Sequence, residues 1–271
     1  MNKIILIGLI LIILLIYFSP LPKSSFDGSV NLVYSLYQKK FKSKFTLTEG
    51  KKLQSIDMVY AITMPQRKEY ITTQINSMEL MCKYLDAIKP NDLTVEETNT
   101  ISDVNKLGSR FYKLPTRLSH LLSFTMCCID AITNGYSTII IFEDDIIINI
   151  DTQTLGAATT EFIKSDNDIF YMGYCFLNCK QSMDKNKYTY IIPLTDPSIL
   201  CNHATCIKVD MLHNLIDYCF PMKKPTDELF TDYFHSKKIK VCIPKKSYFD
   251  QVPRDQMESL NESTVKLELC R

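Results

Sequence analysis

Apolar and polar positions along the chain divide it into an apolar amino terminus, a mixed segment and a long region of alternating strand and helix patterns. Residues 4–18 form an uninterrupted apolar run, and residues 19–55 carry prolines, serines, lysines and scattered aromatics without a sustained period. From residue 57 onward, short apolar runs alternate with segments whose apolar residues recur every three or four positions. Strands that alternate with helices in this way predict an α/β fold with a largely parallel sheet.

Five strands and four helices are predicted within the alternating region. The strands are expected at 58–62, 139–142, 168–174, 188–193 and 239–243. Helical spacing predicts helices over 71–85 and 116–133, with a polar loop over residues 90–110 between them. Asp210 and Thr226 are residues of the kind that cap helices, so two further helices are expected to begin there.

The segment that follows the second of these strands carries the most distinctive chemistry in the chain. Residues 139–142 indicate a strand buried on both faces, and Glu143, Asp144 and Asp145 follow it directly. Adjacent carboxylates repel one another, so such a cluster is typical of a site that binds a cation. Open α/β sheets bind ligands at the carboxyl ends of their strands, and carboxylate oxygens suit Mg²⁺ or Mn²⁺, which commonly carry substrate phosphates. The alternatives are a solvated loop or the cap of a following helix.

Composition excludes several classes of function. The 271 residues include 31 Lys and Arg against 30 Asp and Glu, so the overall charge gives no sign of an extended nucleic-acid surface. Only 7 residues are glycine, and the chain contains no GxGxxG or GK[ST] sequence that would cradle phosphates with backbone amides. A phosphate-bearing ligand is therefore expected to be held mainly by a metal ion and side chains.

The amino terminus predicts attachment to a membrane. The apolar run is shorter than the ~20 residues of a typical bilayer span, but it extends to Leu21, and Ser19-Pro20-Leu21-Pro22 lacks a small-x-small cleavage pattern. We therefore expect residues 1–22 to be an uncleaved signal anchor rather than a signal peptide. The protein would be single-pass type II and face the lumen of the ER or Golgi, or a viral or bacterial equivalent. Asn261, in Asn-Glu-Ser, would then be a glycosylation acceptor.

The remainder of the chain is expected to divide into three parts: a stem over 23–55, a catalytic domain over 56–254 and a tail over 255–271. Its ten cysteines are compatible with an oxidising compartment but do not form a disulfide-dense array. Two close pairs can form disulfides or, as an alternative, contribute to a zinc site: Cys175 with Cys179, and Cys201 with Cys206.

Five short motifs, taken in order, resemble the family-25 glycosyltransferases, which include bacterial lipopolysaccharide sugar transferases and procollagen galactosyltransferases. Each motif is short, and their shared order and spacing carry the resemblance over residues 57 to 251. The motifs are Ala61-Ile-Thr-Met-Pro-Gln-Arg67, Leu118-Ser119-His120, Phe142-Glu143-Asp144-Asp145, His203-Ala204 and Pro225-Thr226-Asp227.

The resemblance implies a GT-A fold, in which a Rossmann-like nucleotide half is fused to an acceptor half. It also implies a reaction: transfer of a hexose, galactose or glucose, from a UDP-sugar to a hydroxyl group of a glycan or protein. In such enzymes an acid-x-acid pair holds Mn²⁺ or Mg²⁺, which bridges the donor diphosphate. Glu143 and Asp145 have this spacing, so on an extended strand end both would point one way. Asp144 would then point the other way, toward hydroxyl groups of the ribose or donor sugar.

Other site residues are expected from the remaining motifs. His203 is the candidate third metal ligand, with a hydrogen-bonded loop histidine as the alternative. Thr63 and Arg67 end the first strand and are expected to contact the nucleotide or its phosphates. For Arg67 the alternative is a surface arginine in the first turn of a helix. Asp227 is the candidate base that accepts the acceptor hydroxyl proton, although it would equally complement a helix dipole. His120, on the helix before the acidic strand, is more typical of a packing residue than of a functional one.

Two other classes of function remain open at this point. The first is a membrane-anchored, non-catalytic binding protein with a degenerate transferase fold. The second is a metal-dependent phosphodiesterase or nuclease, which also gathers acids but normally carries more His and acid motifs than this chain. The sequence does not identify the donor sugar, the acceptor or the stereochemical outcome.

Overall fold

The computed structural model describes residues 28–103, 114–176, 180–181, 187–197 and 199–252. The α-helices are α1 Gly28–Leu36, α2 Lys68–Ser77, α3 Val95–Ile101, α4 Leu114–Thr133, α5 Thr152–Lys164, α6 Leu212–Cys219 and α7 Thr226–Lys237. The strands are β1 Phe45–Leu47, β2 Met58–Thr63, β3 Cys82–Asp86, β4 Thr138–Phe142, β5 Ile146–Ile148, β6 Ile169–Phe176, β7 Lys180–Gln181, β8 Ile191–Asp196, β9 Ile199–Lys208, β10 Val241–Pro244 and β11 Phe249–Gln251.

A mixed nine-stranded sheet forms the centre of the fold, in the order β1-β3-β2-β4-β9-β6-β10-β8-β7. The β2, β3, β4, β6, β7 and β10 strands run in one direction, and β1, β8 and β9 run in the opposite one. The predicted α/β class with a mostly parallel sheet is therefore confirmed. The antiparallel β9 between β4 and β6 was not predicted, because its polar residues interrupt the apolar pattern. β5 and β11 form a separate two-stranded sheet.

Helices cover both faces of the central sheet, which explains the continuous apolar run in β4. Ile139 and Ile141 pack in one core cluster, with residues of α1, α4, α6 and α7. Ile140 and Phe142 pack in a second cluster, with residues of α2 and α5. Every residue of β4 is buried as a result.

The long helix α4 agrees with the helix predicted over 116–133. Its leucines and isoleucines are buried on several sides because the helix lies between the sheet and its neighbouring helices. Gly135 follows it with φ 67°, a left-handed conformation that costs glycine little, and its amide bonds the Ile132 carbonyl. The chain then turns directly into β4.

Two predictions in the first half of the domain are wrong. The helix expected over 71–85 ends at Ser77, because Glu79 takes up a left-handed φ of 56° and the chain continues into β3. Cys82 and Leu85, which fit the helical spacing, are therefore strand residues. The loop expected over 90–110 contains α3, which a capping box between Thr94 and Glu97 starts.

The two predicted caps near the end of the domain are also wrong. Asp210 lies within a short 3₁₀ helix, Val209–Met211, that precedes α6. Pro225 occupies the cap position of α7, and Thr226 is the first helical residue. The Thr226 hydroxyl instead lies 3.2 Å from a ring nitrogen of His120.

Part of the segment predicted as a stem packs into the domain. Val30, Val33 and Phe41 are buried in the same core cluster as α4. β1 pairs with β3, which places Phe45 opposite Leu85 at the edge of the central sheet. The division between stem and domain at residue 55 therefore differs from the structure, in which residues 28–47 belong to the domain.

Within the part of the chain that the structure describes, no helix is both long and apolar enough to cross a membrane. The anchor predicted over residues 1–22, the tail over 255–271 and Asn261 all lie outside the described residues.

The predicted pairing of Cys201 with Cys206 is wrong. Cys206 is a free, buried thiol on β9, whereas Cys201 belongs to a disulfide with another cysteine. The pairing of Cys175 with Cys179 cannot be followed, since Cys179 and the side chain of Cys175 lie outside the described residues. No group of His, Cys, Asp and Glu side chains among the described residues forms a zinc-like cluster.

Candidate active site

The three adjacent acids lie at one cavity at the carboxyl ends of β2 and β4. Its volume is about 200 Å³. The walls come from the segment after β2, the segment after β3, the first turns of α4, the acids after β4 and the end of β11. The lining residues are Ile62, Met64, Arg67, Ala87, Ile88, Lys89, Pro90, Thr116, Ser119, His120, Ser123, Glu143, Asp144, Asp145, Gln251 and Val252.

All three acids line this cavity, which differs from the predicted alternation of their side chains. β4 ends at Phe142, and Asp144 and Asp145 lie in a turn before β5. Because the chain is not extended there, the two-residue period of a strand does not apply. Asp144 therefore does not point away from Glu143 and Asp145.

Asp144 holds Arg67 in place beside the cavity. Its Oδ1 accepts a hydrogen bond from Arg67 Nη1 at 2.9 Å, and its Oδ2 accepts one from the Met64 amide at 2.6 Å. Burial raises the pKa of Asp144, and these two donors oppose the rise. Arg67 Nη1 also lies 3.8 Å from Asp145 Oδ2, so one guanidinium neutralises part of the charge of two carboxylates.

Glu143 forms a close pair with His120 of α4. His120 Nε2 lies 2.8 Å from Glu143 Oε1. Although burial disfavours the charged ring, the Glu143 carboxylate raises the pKa of His120 to about 9. Burial alone would raise the pKa of Glu143 as well, but the hydrogen bond from His120 holds it below its ordinary value. The pair is therefore an imidazolium and a carboxylate at neutral pH.

Asp145 is the acid with the least compensation. Gln251 Nε2 donates to its Oδ2 at 3.0 Å, while Oδ1 is buried and has no hydrogen-bond partner among the described residues. Burial, together with the charges of Glu143 and Asp144, raises the pKa of Asp145 to about 7. The Val252 amide donates to its backbone carbonyl at 2.7 Å, so the segment after β11 lies directly against this residue.

His203 does not point into the cavity. Its side chain is 1% exposed and packs against Gly173 and β11, where Nε2 lies 3.1 Å from the Phe249 carbonyl oxygen. A Cβ at Gly173 would clash with this ring and with that carbonyl, so glycine is needed there. The Glu143 amide donates to the His203 carbonyl at 2.9 Å, and the charge of Glu143 acts on the His203 ring, whose Nδ1 is buried without a described hydrogen-bond partner. Burial lowers the pKa of His203, which makes the ring neutral.

Asp227 lies near the cavity but does not line it. Its Oδ1 accepts a hydrogen bond from Asn202 Nδ2 at 3.2 Å, and Tyr171 donates to Asn202 Oδ1 at 2.9 Å. Burial raises the pKa of Asp227, and the charge of His120 opposes the rise. Thr63 is fully buried, donates to the Met64 carbonyl and does not line the cavity.

The structure thus brings Arg67, Glu143, Asp144 and Asp145 together at one cavity, which His203 and Thr63 do not line. Sequence reasoning missed Gln251 as a partner of Asp145 and treated His120 mainly as a packing residue. The Leu-Ser-His motif was the available signal for His120. It lies in the first two turns of the helix that precedes the acidic strand, and a histidine there can reach the carboxyl end of that strand. Gln251 lies 106 residues from Asp145 and has no local signal.

The donor set fits a divalent cation that is shared with a substrate. Asp145 offers a buried oxygen without a protein partner, and Glu143 lines the same cavity. Magnesium-type cations are often held by one or two carboxylates together with substrate phosphates. Among the described residues no group of three metal-binding side chains is assembled. His203 stays a prediction as the third ligand, and its Nδ1 is buried without a hydrogen-bond partner among the described residues.

The fold is that of an α/β protein with a mixed sheet. Its clustered acids and an arginine lie at the carboxyl ends of the strands, which is where open α/β sheets bind ligands. The chain belongs to glycosyltransferase family 25: the family model described as "Glycosyltransferase family 25 (LPS biosynthesis protein)" matches residues 59–230. The family that the motifs predicted is thereby confirmed, and the protein is a glycosyltransferase. Membership favours an enzyme over the non-catalytic binding protein and the phosphodiesterase.

Solved structures similar to this chain include 4-diphosphocytidyl-2C-methyl-D-erythritolsynthase from Anaerococcus prevotii. That match has 9% identity, a TM-score of 0.39, and covers 84% of this chain and 82% of that chain. Another is A197 from STIV, with 11% identity, a TM-score of 0.34, and coverage of 71% of this chain and 82% of that chain. No curated protein matches the sequence.

Proposed function

We propose that this glycosyltransferase moves a hexose, galactose or glucose, from a UDP-sugar to a hydroxyl group of a glycan or protein acceptor. We further propose that Mn²⁺ or Mg²⁺ is required and is held by Glu143 and Asp145. The observation that carries the metal requirement is Asp145 Oδ1, a buried carboxylate oxygen without a described partner beside two other acids. A buried carboxylate in that state is costly unless a cation compensates it.

The donor diphosphate is expected to lie over the acid cluster. Arg67 is held there by Asp144, with a side chain only 12% exposed, so its guanidinium is oriented before any ligand arrives. An arginine fixed in this way suits a diphosphate, whose oxygens it can bind in pairs. The cation, when bound, neutralises negative charge on the departing diphosphate.

Asp227 is proposed as the base that takes the proton from the acceptor hydroxyl. Asn202 fixes one of its oxygens, and burial raises its pKa, which makes the carboxylate a stronger proton acceptor than an exposed one. The acceptor oxygen attacks the anomeric carbon, the bond to the diphosphate breaks, and the hydroxyl proton passes to Asp227. The acceptor would therefore bind between α7 and the cavity.

A donor screen tests this proposal. The purified full-length chain, in detergent, is incubated with a panel of sugar nucleotides, with and without acceptor sugars, and released nucleoside diphosphate is measured. We expect release from UDP-galactose or UDP-glucose with Mn²⁺ and loss of at least 90% of it with EDTA. Full activity in EDTA would contradict the metal requirement, and turnover only with a donor other than a UDP-hexose would contradict the donor.

A further inference from the structure

His120 contacts two functional elements at once. Its Nε2 lies 2.8 Å from Glu143 Oε1, at the end of β4, and its Nδ1 lies 3.2 Å from Thr226 Oγ1, at the first residue of α7. The neighbour of Thr226 in the chain is Asp227. One imidazole ring therefore joins the carboxylate proposed to hold the metal to the helix that carries the proposed base.

The ring is held firmly enough to transmit position. It projects from the second turn of α4, where Leu118, Leu121 and Leu122 are fully buried and fix the helix between the sheet and its neighbouring helices. Thr226 is also buried, with 5% of its surface exposed. A hydroxyl can donate or accept, so both contacts are compatible with either protonation state of the ring.

We propose that His120 is a positioning residue that fixes Glu143 for the metal and the amino terminus of α7 for the acceptor, through separate ring nitrogens. The inference rests on the proposed function and extends it. It assigns the position of the metal ligand to Nε2 and the position of the acceptor-binding helix to Nδ1. Packing alone would not require both nitrogens to face polar partners on different elements. A histidine is well suited to this role because its two nitrogens point in different directions on one rigid ring.

Two isosteric substitutions separate the two contacts. In His120→Asn the amide nitrogen replaces Nδ1, so the Thr226 contact is kept and the Glu143 contact is lost. In His120→Gln the amide nitrogen reaches the position of Nε2, so the Glu143 contact is kept and the Thr226 contact is lost. Thr226→Val removes the same contact from the other side, and Thr226→Ser is the matched control that retains the hydroxyl.

The full-length chain and these variants are compared by calorimetric titration of Mn²⁺ in the presence of UDP and by steady-state kinetics. We expect His120→Asn to weaken Mn²⁺ binding about 10-fold, as the loss of a residue that orients a metal ligand commonly does. We expect His120→Gln and Thr226→Val to bind Mn²⁺ within about 3-fold of wild type and to lower kcat to a similar extent, with Thr226→Ser restoring it. Equal effects of His120→Asn and His120→Gln on both quantities would overturn the separation.

Thermal unfolding without metal provides a test that does not depend on turnover. If the wild type binds no Mn²⁺ and transfers no sugar, the proposed function is wrong, while the contacts of His120 can still be judged. The Tm loss of the double variant His120→Asn/Glu143→Ala is expected to be smaller than the sum of the losses of the two single variants, because each single substitution already removes the same contact. Additive Tm losses would contradict the inferred role of His120.

Discussion

Asp130, in the last turn of α4, and Asp145, after β4, are both buried carboxylates, but their surroundings differ. Asp130 accepts hydrogen bonds from Tyr37, Tyr60 and Lys83, and the lysine reaches both of its oxygens at 2.7–2.8 Å. Asp145 has Gln251 on one oxygen and no described partner on the other. The comparison separates an acid whose charge is compensated within the fold from the acid that we propose binds a metal ion.

The two sites also differ in what they connect. The Asp130 cluster joins the segment before β1 to β2, β3 and α4, so it ties four elements with one carboxylate. Phe45 adds to it, because its ring lies 5.0 Å from the ammonium group of Lys83. The acids at the cavity instead face a space that a substrate can enter. Full compensation of charge is typical of a structural ion pair, whereas partial compensation favours a ligand site.

The largest effect is expected from removing Asp130. Asp130→Ala leaves Lys83, whose side chain is 19% exposed, without its partner and leaves two tyrosine hydroxyls unbonded. We expect the free energy of unfolding to fall by about 3 kcal/mol, as for other buried pairs that lose one member. Chemical denaturation measures this loss. Asp166→Ala is the matched control, because Asp166 pairs with Lys240 at an exposed site and its removal should cause no measurable loss.

Removing the charge of Asp145 is expected to act in the opposite direction. The pKa of Asp145 is about 7 in the folded protein, against an ordinary value of 3.8. A raised acid pKa destabilises the fold at high pH: the penalty is absent below pH 3.8, grows between pH 3.8 and 7, and is complete above pH 7. The shift corresponds to about 4 kcal/mol at pH 8. In EDTA, Asp145→Asn should recover about half of this, roughly 2 kcal/mol of unfolding free energy, because the buried amide keeps an unbonded polar group. At pH 5 the gain should be much smaller.

Denaturation at the two pH values decides the outcome. A loss of stability in Asp145→Asn at pH 8 would show that Asp145 is compensated like Asp130, and the contrast between the two sites would disappear.

The smallest effect is expected at Gln251. Gln251→Ala removes the hydrogen bond to Asp145 Oδ2 and should lower the free energy of unfolding by about 1 kcal/mol at pH 8 in EDTA. In the Asp145→Asn background the same substitution should cost less, because the acceptor no longer carries a charge. An equal cost in both backgrounds, measured as a double-mutant cycle, would mean that Gln251 acts through packing alone.

Local patterns were enough to predict the elements that carry the acids. The apolar run before Glu143 predicted β4, and the spacing of leucines and isoleucines predicted α4, because both elements are buried in ways that leave a periodic signal. β3 was mistaken for helix, since Cys82 and Leu85 happen to continue the spacing of α2. β9 was missed because a strand between two others in the sheet can carry buried polar residues such as Asn202 and His203.

Contacts between distant residues explain why the site was only partly predicted. The order of the motifs gave Arg67 and the three acids, which do meet at one cavity. It could not show that Asp144 would form an ion pair with Arg67, or that the His203 ring would pack against Gly173 and the Phe249 carbonyl. The Asp130 cluster left no signal either, since its members lie on separate elements and each has the appearance of an ordinary buried or surface residue.

The most direct test of the central claim, that the incompletely compensated Asp145 binds a divalent cation together with a nucleotide diphosphate, is a calorimetric titration of UDP into the full-length chain. Wild type is measured with Mn²⁺ and with EDTA, and Asp145→Asn is measured in the same two conditions. We predict that UDP binds wild type at least ~10-fold more tightly with Mn²⁺, and that the difference disappears in Asp145→Asn. Equal affinity of wild type for UDP in Mn²⁺ and in EDTA would contradict the account.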